Sequence, residues 1–404
     1  MCAISTGYVE GDGIDICVLN PYFIPYRGGT EKVLYEVYKR ISKKHNVTII
    51  TSAISAFGAH GSGRPLQHTE YIDDIKVVRI KTKQISIPFS PLPLQLFPAL
   101  QSHIQSVNAD LYHVNNRYQY FPSTIRTVRD MGAKLAITIH NSTPKGISVA
   151  DDYFGLLYDM AIGRKFMHAS SAITAVSKNA LESTVQPEDI WKSKVIYNGV
   201  DHKLFRKISG RDGTVSSLKE KFGKGSTLIL SNGRLTQQKG QAYLIRAVAE
   251  LIKEGNDVRL LIIGKGPMYN WLYKYASRLK IADRFEIISG IPEEEIPYYY
   301  NASDLFVLPS LYEPAGMALI EAMACGVPSI ATRVGGMPEM GQDTVSYSKP
   351  RDYASIKEAI MNCLTDSKNA RDRASRAISL VKKRNDWDII AKEYEDCFLK
   401  ASSQ

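Results

Sequence analysis

Two carboxylates and two cations carry the chemistry that this sequence could perform. Residues 308–331 read LPSLYEPAGMALIEAMACGVPSIA, with Glu313 and Glu321 separated by seven residues. Proline is favoured at the first position of a helix and glycine just past the last, so Pro314 and Gly326 predict a helix over 314–325 with Glu313 at its cap. The amides of Ala315, Gly316 and Met317 would then lack partners inside the helix, and the dipole there favours anions, which makes a site for a phosphate or for sugar hydroxyls. Glu321 lies two turns further on among Ala318, Leu319, Ile320, Ala322, Met323 and Ala324. A helix apolar on every side is buried, and a buried carboxylate needs a partner. It either pairs internally with an arginine or accepts hydrogen bonds from ligand hydroxyls.

The cations stand in residues 231–247 (SNGRLTQQKGQAYLIRA), where a strand ends, Gly233 turns, and Arg234 and Lys239 flank a polar loop that leads into a helix. One forked cation and one point cation near a helix start suit a diphosphate; solvated loop residues are the alternative. Residues 26–30 (YRGGT) put Gly28 and Gly29 between the first strand and the first helix, where a missing Cβ lets a ligand approach the backbone. The pattern is not G-x-G-x-x-G, so a dinucleotide site has little support. His140 follows a strand over 135–139, at the end where parallel sheets place functional groups, with a purely structural role as the alternative.

These residues need strands to carry them. Short β-branched runs occur at 14–19, 47–51, 75–80, 135–139 and 172–176, with helical patterns such as 31–44 between several of them. The alternation restarts at 227–230, 258–263, 285–288, 305–308 and 328–331. Strand–helix–strand order of this kind means parallel sheets covered on both faces. Breaks at 197–201 and 209–217 separate the two runs, so the expected fold class is α/β, with two doubly wound Rossmann-like domains facing a shared cleft. A chain of 404 residues suits two domains, and 44% hydrophobic with 23% charged residues excludes a disordered chain. The net charge of +10 divides evenly between residues 1–200 and the remainder, which suits phosphorylated small molecules or an anionic membrane surface at least as well as nucleic acid. The start of the chain shows neither a basic nor an apolar leader, and no apolar run approaches the ~20 residues of a membrane span, so a soluble, cytoplasmic chain is expected. Cys2, Cys17, Cys325, Cys363 and Cys397 form no Cys-x-x-Cys pair and read as reduced thiols, without disulfides or zinc.

In joint order and spacing these pieces resemble the family 4 retaining glycosyltransferases, nucleotide-sugar-dependent enzymes of the GT-B fold, over nearly the whole chain. The elements that carry the resemblance are Gly28-Gly29, His140-Asn141, Ala175-Val176-Ser177, the stretch 197–201, Gly233-Arg234-Leu235 with Lys239-Gly240, the stretches 264–267 and 302–310, Glu313 with Glu321, and Gly335-Gly336 with Glu339. Residues 385–400 look like the family's last helix, which returns to the first domain. The resemblance implies an acceptor-side domain over 1–200 completed by 386–404, and a donor-binding domain over 201–385. It also implies that Arg234 and Lys239 hold the donor diphosphate and Glu321 the ribose hydroxyls. Glu313 and the amides at Ala315, Gly316 and Met317 would hold the transferred sugar, His140 would touch that sugar from the acceptor side, and Gly28 and Gly29 would border the diphosphate and the acceptor. Ala315 stands where the family usually has Phe, which should alter packing rather than chemistry. Residues 341–350 match the family's usual run there poorly. No bound cofactor or metal is implied; the co-substrate is a UDP-, GDP- or ADP-sugar.

The implied reaction moves a glycosyl group from a nucleoside diphosphate sugar to an acceptor hydroxyl with retained configuration. The alternatives are a sugar-nucleotide epimerase or hydrolase of the same fold and a non-catalytic sugar-nucleotide-binding protein. Asp386-Trp387-Asp388 spells a metal-binding triplet of another glycosyltransferase fold, but it opens the last helix and reads as a cap with a packed Trp. The pairs Asp73-Asp74 and Asp151-Asp152 lack partners for a metal. Basic Lys76, Arg79, Lys81 and Lys83 precede the Pro-interrupted apolar stretch 85–100, which either packs as a loop over the domain's own helices or docks on an anionic membrane face and brings in a lipid or lipid-linked acceptor.

Overall fold

Runs of three to seven residues, too short for helices, assemble here into two sheets, one wholly and one mainly parallel. The computed structural model describes residues 13–26, 28–53, 68–85, 94–116, 120–142 and 149–403. The first sheet holds β1 (Asp15–Leu19), β2 (Asn46–Ser52), β3 (Thr69–Ile72), β4 (Ile75–Ile80), β7 (Leu111–Val114), β8 (Lys134–Ile139), β9 (Ala172–Ala175) and β10 (Ser193–Val195). Their order is β10-β9-β8-β7-β1-β2-β4-β3, parallel throughout except where β3 pairs antiparallel with β4. A separate two-stranded ribbon joins β5 (Lys83–Ile85) and β6 (Leu94–Leu96). The second sheet is wholly parallel, in the order β13-β12-β11-β14-β15-β16. Its strands are β11 (Thr227–Asn232), β12 (Val258–Ile263), β13 (Phe285–Ile288), β14 (Leu305–Leu308), β15 (Ser329–Thr332) and β16 (Ser346–Ser348). Every residue of β7, β9, β14 and β15 is buried, as expected of strands covered on both faces.

The central strand β7, with the sequence LYHV, is not among the expected strands because His113 interrupts its apolar run. Tyr38 Oη and Thr138 Oγ1 lie 2.6 and 2.7 Å from its two ring nitrogens, and burial lowers its pKa to about 3, so the imidazole stays neutral inside the sheet. The expected basic membrane patch also needs correction. Arg79 belongs to β4 and is 1% exposed, with Nε 2.6 Å from Glu70 Oε1 and Nη2 donating to the Ile24 carbonyl at 2.6 Å. A guanidinium held this way is unavailable to a bilayer, and residues 86–93 of the adjoining stretch lie outside the described residues. Cys17, Cys325, Cys363 and Cys397 are free thiols, and Cys2 lies outside the described residues.

The last helix, Trp387–Ser402, returns to the first domain. Asp386 caps it by accepting from the Asp388 amide at 2.8 Å, and Trp387 is buried, as its sequence indicates. The helix lies along Gly29–Ile41, with Phe398 stacked on Tyr38 and Arg40 Nε 2.5 Å from Asp388 Oδ1. Where the chain crosses between domains its two passes pair: the Val200 amide donates to the Asn385 carbonyl at 2.7 Å, and Asn385 Nδ2 donates to the Asn198 carbonyl at 2.6 Å. A Cβ on Gly199 would lie 2.5 Å from the Trp387 ring. Gly199→Ala is therefore expected to destabilise the protein by about 1–3 kcal/mol, whereas Gly210→Ala, at a position with open space, should stay within about 0.5 kcal/mol; thermal unfolding of the two variants checks this.

Candidate active site

β14 ends at Leu308, and the chain runs eight residues further before the helix Met317–Ala324 begins. The expected helix over 314–325 thus starts three residues late, and Gly316 rather than Glu313 precedes it. The Glu313 carbonyl is taken from outside the segment, by the Gly336 amide at 3.1 Å, so it cannot serve a helix starting at Pro314. Gly316 then adopts φ +62°, where a Cβ would also lie 2.3 Å from Met337 Cε. Gly336 packs as tightly: a Cβ there would come within 2.2 Å of the Pro314 carbonyl oxygen. Among the described residues no acceptor takes the amides of Ala315, Gly316 or Met317. The side chains of Ala315 and Met317 pack into apolar clusters of the first domain.

The cationic loop follows β11 and precedes the helix Gln241–Lys253. Lys239 Nζ is ion-paired with Glu313 Oε2, which also accepts from Ser310 Oγ at 3.0 Å. Backbone bonds tie this loop to the Glu313 loop: the Leu311 amide donates to the Gln238 carbonyl at 2.8 Å, and Gln238 Nε2 to the Tyr312 carbonyl at 3.3 Å. Arg234 is exposed and makes no ion pair among the described residues, so its guanidinium is available to an anion.

Glu321 is buried and compensated from two sides. Tyr300 Oη donates to its Oε2 at 3.1 Å, and Lys32 Nζ lies 3.3 Å from its Oε1. The internal pairing open to this residue in the sequence is realised with a lysine of the first domain, not with an arginine. Burial pushes the Glu321 carboxyl above its ordinary range, and Lys32 with Tyr300 opposes that rise. Next to Lys32, Glu31 is buried and raised to about 7 by desolvation, which the nearby Arg234 moderates. Neither Glu31 nor Lys32 carries a motif. The signal that could have found them is register, since both lie in the first turn of the helix Gly29–Ile41, which starts at the paired glycines.

Gly29 meets this site directly, because a Cβ on it would lie 4.0 Å from Met317 Cγ, while Gly28 abuts Glu31. His140 follows β8 and is buried; its Nε2 lies 3.0 Å from Asn115 Oδ1, and Asn115 Nδ2 donates in turn to Asn20 Oδ1 at 3.2 Å. This chain puts the proton on Nε2. Burial lowers the His140 pKa to about 4, so the ring is neutral near pH 7. Tyr312 Oη donates to the Ser142 carbonyl at 2.7 Å and thereby ties the Glu313 loop to the segment after His140. The Glu339 carboxylate accepts the amides of Lys178 and Asn179 at 2.6 and 2.8 Å, a further bond across the cleft. Contacts between the domains thus bring the Glu313 loop to the segment after His140, Gly29 to Met317 and Lys32 to Glu321, with the cations Arg234 and Lys239 and both carboxylates on the second domain and His140, Gly28 and Gly29 on the first.

Comparison with known proteins bears on both halves. Residues 27–204 match the family model described as Glycosyltransferase Family 4, and residues 216–380 match Glycosyl transferases group 1. N-acetyl-alpha-D-glucosaminyl L-malate synthase of Bacillus anthracis is 26% identical over 386 residues, covering 93% of this chain and 94% of that protein. A GDP-mannose-dependent alpha-(1-6)-phosphatidylinositol monomannoside mannosyltransferase of Mycolicibacterium smegmatis is 35% identical over 163 residues, 38% of this chain and 43% of that one. Among solved structures, an Anabaena protein in complex with UDP and glucose shares the fold with a TM-score of 0.74 at 21% identity, over 95% of this chain and 99% of that chain. With its two halves matched in order by these models and its two parallel-sheet domains laid over GT-B structures, the chain belongs to the family 4 glycosyltransferases.

Proposed function

We propose that the enzyme is a retaining transferase that moves a sugar from a nucleoside diphosphate sugar to a hydroxyl of a saccharide or lipid-linked acceptor. The observation that carries this reading is the assembly of Lys239, paired with Glu313, beside the amides of Ala315, Gly316 and Met317 and the Arg234 guanidinium, which have no bonded or ion-pair partner among the described residues. Departure of a diphosphate leaves an oxocarbenium-like sugar and adds negative charge to the leaving group. Arg234 and Lys239 would neutralise that charge without reorganisation. Glu313, held by Lys239 and Ser310, would bind the transferred sugar together with the free amides, and Glu321 would accept the ribose hydroxyls. The neutral ring of His140 leaves Nδ1 for the acceptor side. The departing phosphate would take the acceptor proton on the face it leaves, which retains configuration. The UDP- and glucose-bound Anabaena neighbour makes uridine the first of the UDP-, GDP- and ADP-sugars to test.

Contact with an anionic membrane on its cytoplasmic face is part of the proposal, but on a different surface from residues 76–100. No helix among the described residues is long and apolar enough to cross a membrane. The helix Val149–Tyr158 and the turn after it expose Tyr153, Leu156, Leu157 and Met160, spaced to share one face. The same stretch of chain leads into an open cavity of about 520 Å³ whose charged lining is Arg126, Arg129, Arg164, Lys165 and His168 with Glu188 and Asp189. Apolar side chains beside a mainly basic pocket match lipid tails beside phosphate headgroups. The mannosyltransferase relative, named for a phosphatidylinositol mannoside, supports a lipid-linked acceptor.

Lys239→Ala is expected to lower kcat by about 10²- to 10³-fold, with activity that survives EDTA; wild-type turnover would remove Lys239 from the mechanism. Glu313→Gln should mainly lower kcat, and Glu321→Gln should mainly raise KM for the donor. Because His140 titrates near 4, its protonation should not set the acid limb of the rate profile above about pH 5. In sedimentation with phosphatidylglycerol vesicles, wild type should pellet at low salt, and a variant carrying Leu156→Ser, Leu157→Ser and Arg129→Glu should remain in the supernatant. Wild type left in the supernatant, or self-association through this face in the ultracentrifuge, would exclude the bilayer.

A further inference from the structure

Both oxygens of Glu321 are engaged, but by partners of different origin. Tyr300 belongs to the same domain, is fully buried, and is itself fixed by Asn232 Nδ2 at 3.0 Å and the Ala318 carbonyl at 3.1 Å. Lys32 reaches across the cleft from the helix Gly29–Ile41. Its ammonium is shared between Glu321 Oε1 at 3.3 Å and Glu293 Oε1 at 2.5 Å and lies 5.0 Å from the Phe205 ring centroid. A lysine placed between two carboxylates and over an aromatic face is a built site rather than a solvated side chain.

The chemistry of a diol explains why a carboxylate here would need a cation. An ionised carboxylate offers two acceptor oxygens to two adjacent hydroxyls, whereas a protonated one must donate from one oxygen and so matches them poorly. Glu321 sits where protonation is favoured: burial raises it, and Glu293 opposite and Cys325 on its own helix give it no help. Of the groups that face it, Lys32 and Tyr300 favour the ionised form, and Lys32 alone brings a full positive charge.

We propose that Lys32 is a positioning residue for the donor, whose ammonium keeps Glu321 ionised and oriented to accept both ribose hydroxyls. The inference rests on the reading of Glu321 as the ribose acceptor. Since Lys32 belongs to the first domain, the second domain recognises the ribose fully only while the two domains meet, which links donor affinity to domain approach.

Calorimetric titration of UDP, GDP and ADP, and of their 2′,3′-dideoxy counterparts, into wild type, Lys32→Met, Lys32→Arg and Glu321→Gln tests this. Lys32→Met should weaken the tightest-binding ribonucleoside diphosphate roughly tenfold, and the loss should grow as pH falls, by at most about tenfold per pH unit for a single proton. Lys32→Arg should restore most of the binding, and the dideoxy counterpart should bind wild type and Lys32→Met alike. Lys32→Met that binds as well as wild type or more tightly across the pH range would overturn the proposal, because the lysine would then merely occupy the site. An equal loss with the dideoxy compound would also overturn it, as the mark of a structural role. If Glu321→Gln still discriminates ribose from dideoxyribose as wild type does, the assignment of Glu321 itself fails. If Glu321→Gln loses that discrimination while Lys32→Met keeps it, only the role of Lys32 fails.

Discussion

A carboxylate inside an apolar helix must be compensated, and most of this molecule's organisation follows from how Glu321 is. The helix Met317–Ala324 is buried because its residues are small and apolar, and that same composition supplies no partner for the charge it carries. Compensation arrives from Tyr300 within the domain and from Lys32 outside it. Once the second domain depends on a cation of the first, the helix Gly29–Ile41 has to start at the cleft, which requires residues as small as Gly28 and Gly29 at its entrance. The same approach puts Gly29 near Met317 and Glu31 beside Arg234, so one helix end serves several contacts.

The donor side is organised by a second constraint, that cations must stand ready before charge develops. Lys239 is neither free nor deeply buried: Glu313 holds it in place, and Ser310 holds Glu313. Such a pair is preorganised at little cost, since each charge compensates the other until an anion arrives. The late start of the helix after Gly316 contributes in the same way. A regular helix from Pro314 would have drawn the Glu313 carbonyl into its own ladder, whereas here that carbonyl is spent on Gly336 and locks the loop to the segment 335–336.

Much of this was legible in the residues. Apolar runs of one period marked ten of the strands, and Glu313, Glu321, Arg234 and Lys239 declared themselves by type, spacing and place after a strand. What escaped did so for identifiable reasons. β7 carries a histidine that only tertiary partners make tolerable, and β3, β10 and β16 are short edge strands with mixed composition. Arg79 looked like part of a surface patch because one-dimensional charge says nothing of depth; the Glu70 carboxylate that reaches it from the neighbouring strand could not be seen from its own segment. Lys32 was invisible for the converse reason, as its carboxylate partners lie more than 250 residues away in the chain.

The return of the last helix to the first domain also bears on the order of synthesis. The second domain is built from one uninterrupted stretch of chain and can complete its sheet as soon as that stretch has emerged. The first domain emerges earlier but lacks Trp387, Ile390, Tyr394 and Phe398, which cover the core around Tyr38 and His113. Those residues leave the ribosome only after the whole second domain has done so. The usual rule that the N-terminal domain is finished first therefore reverses here: the nascent first domain waits with an apolar face uncovered while the second folds, and that face closes only once the helix Trp387–Ser402 has emerged.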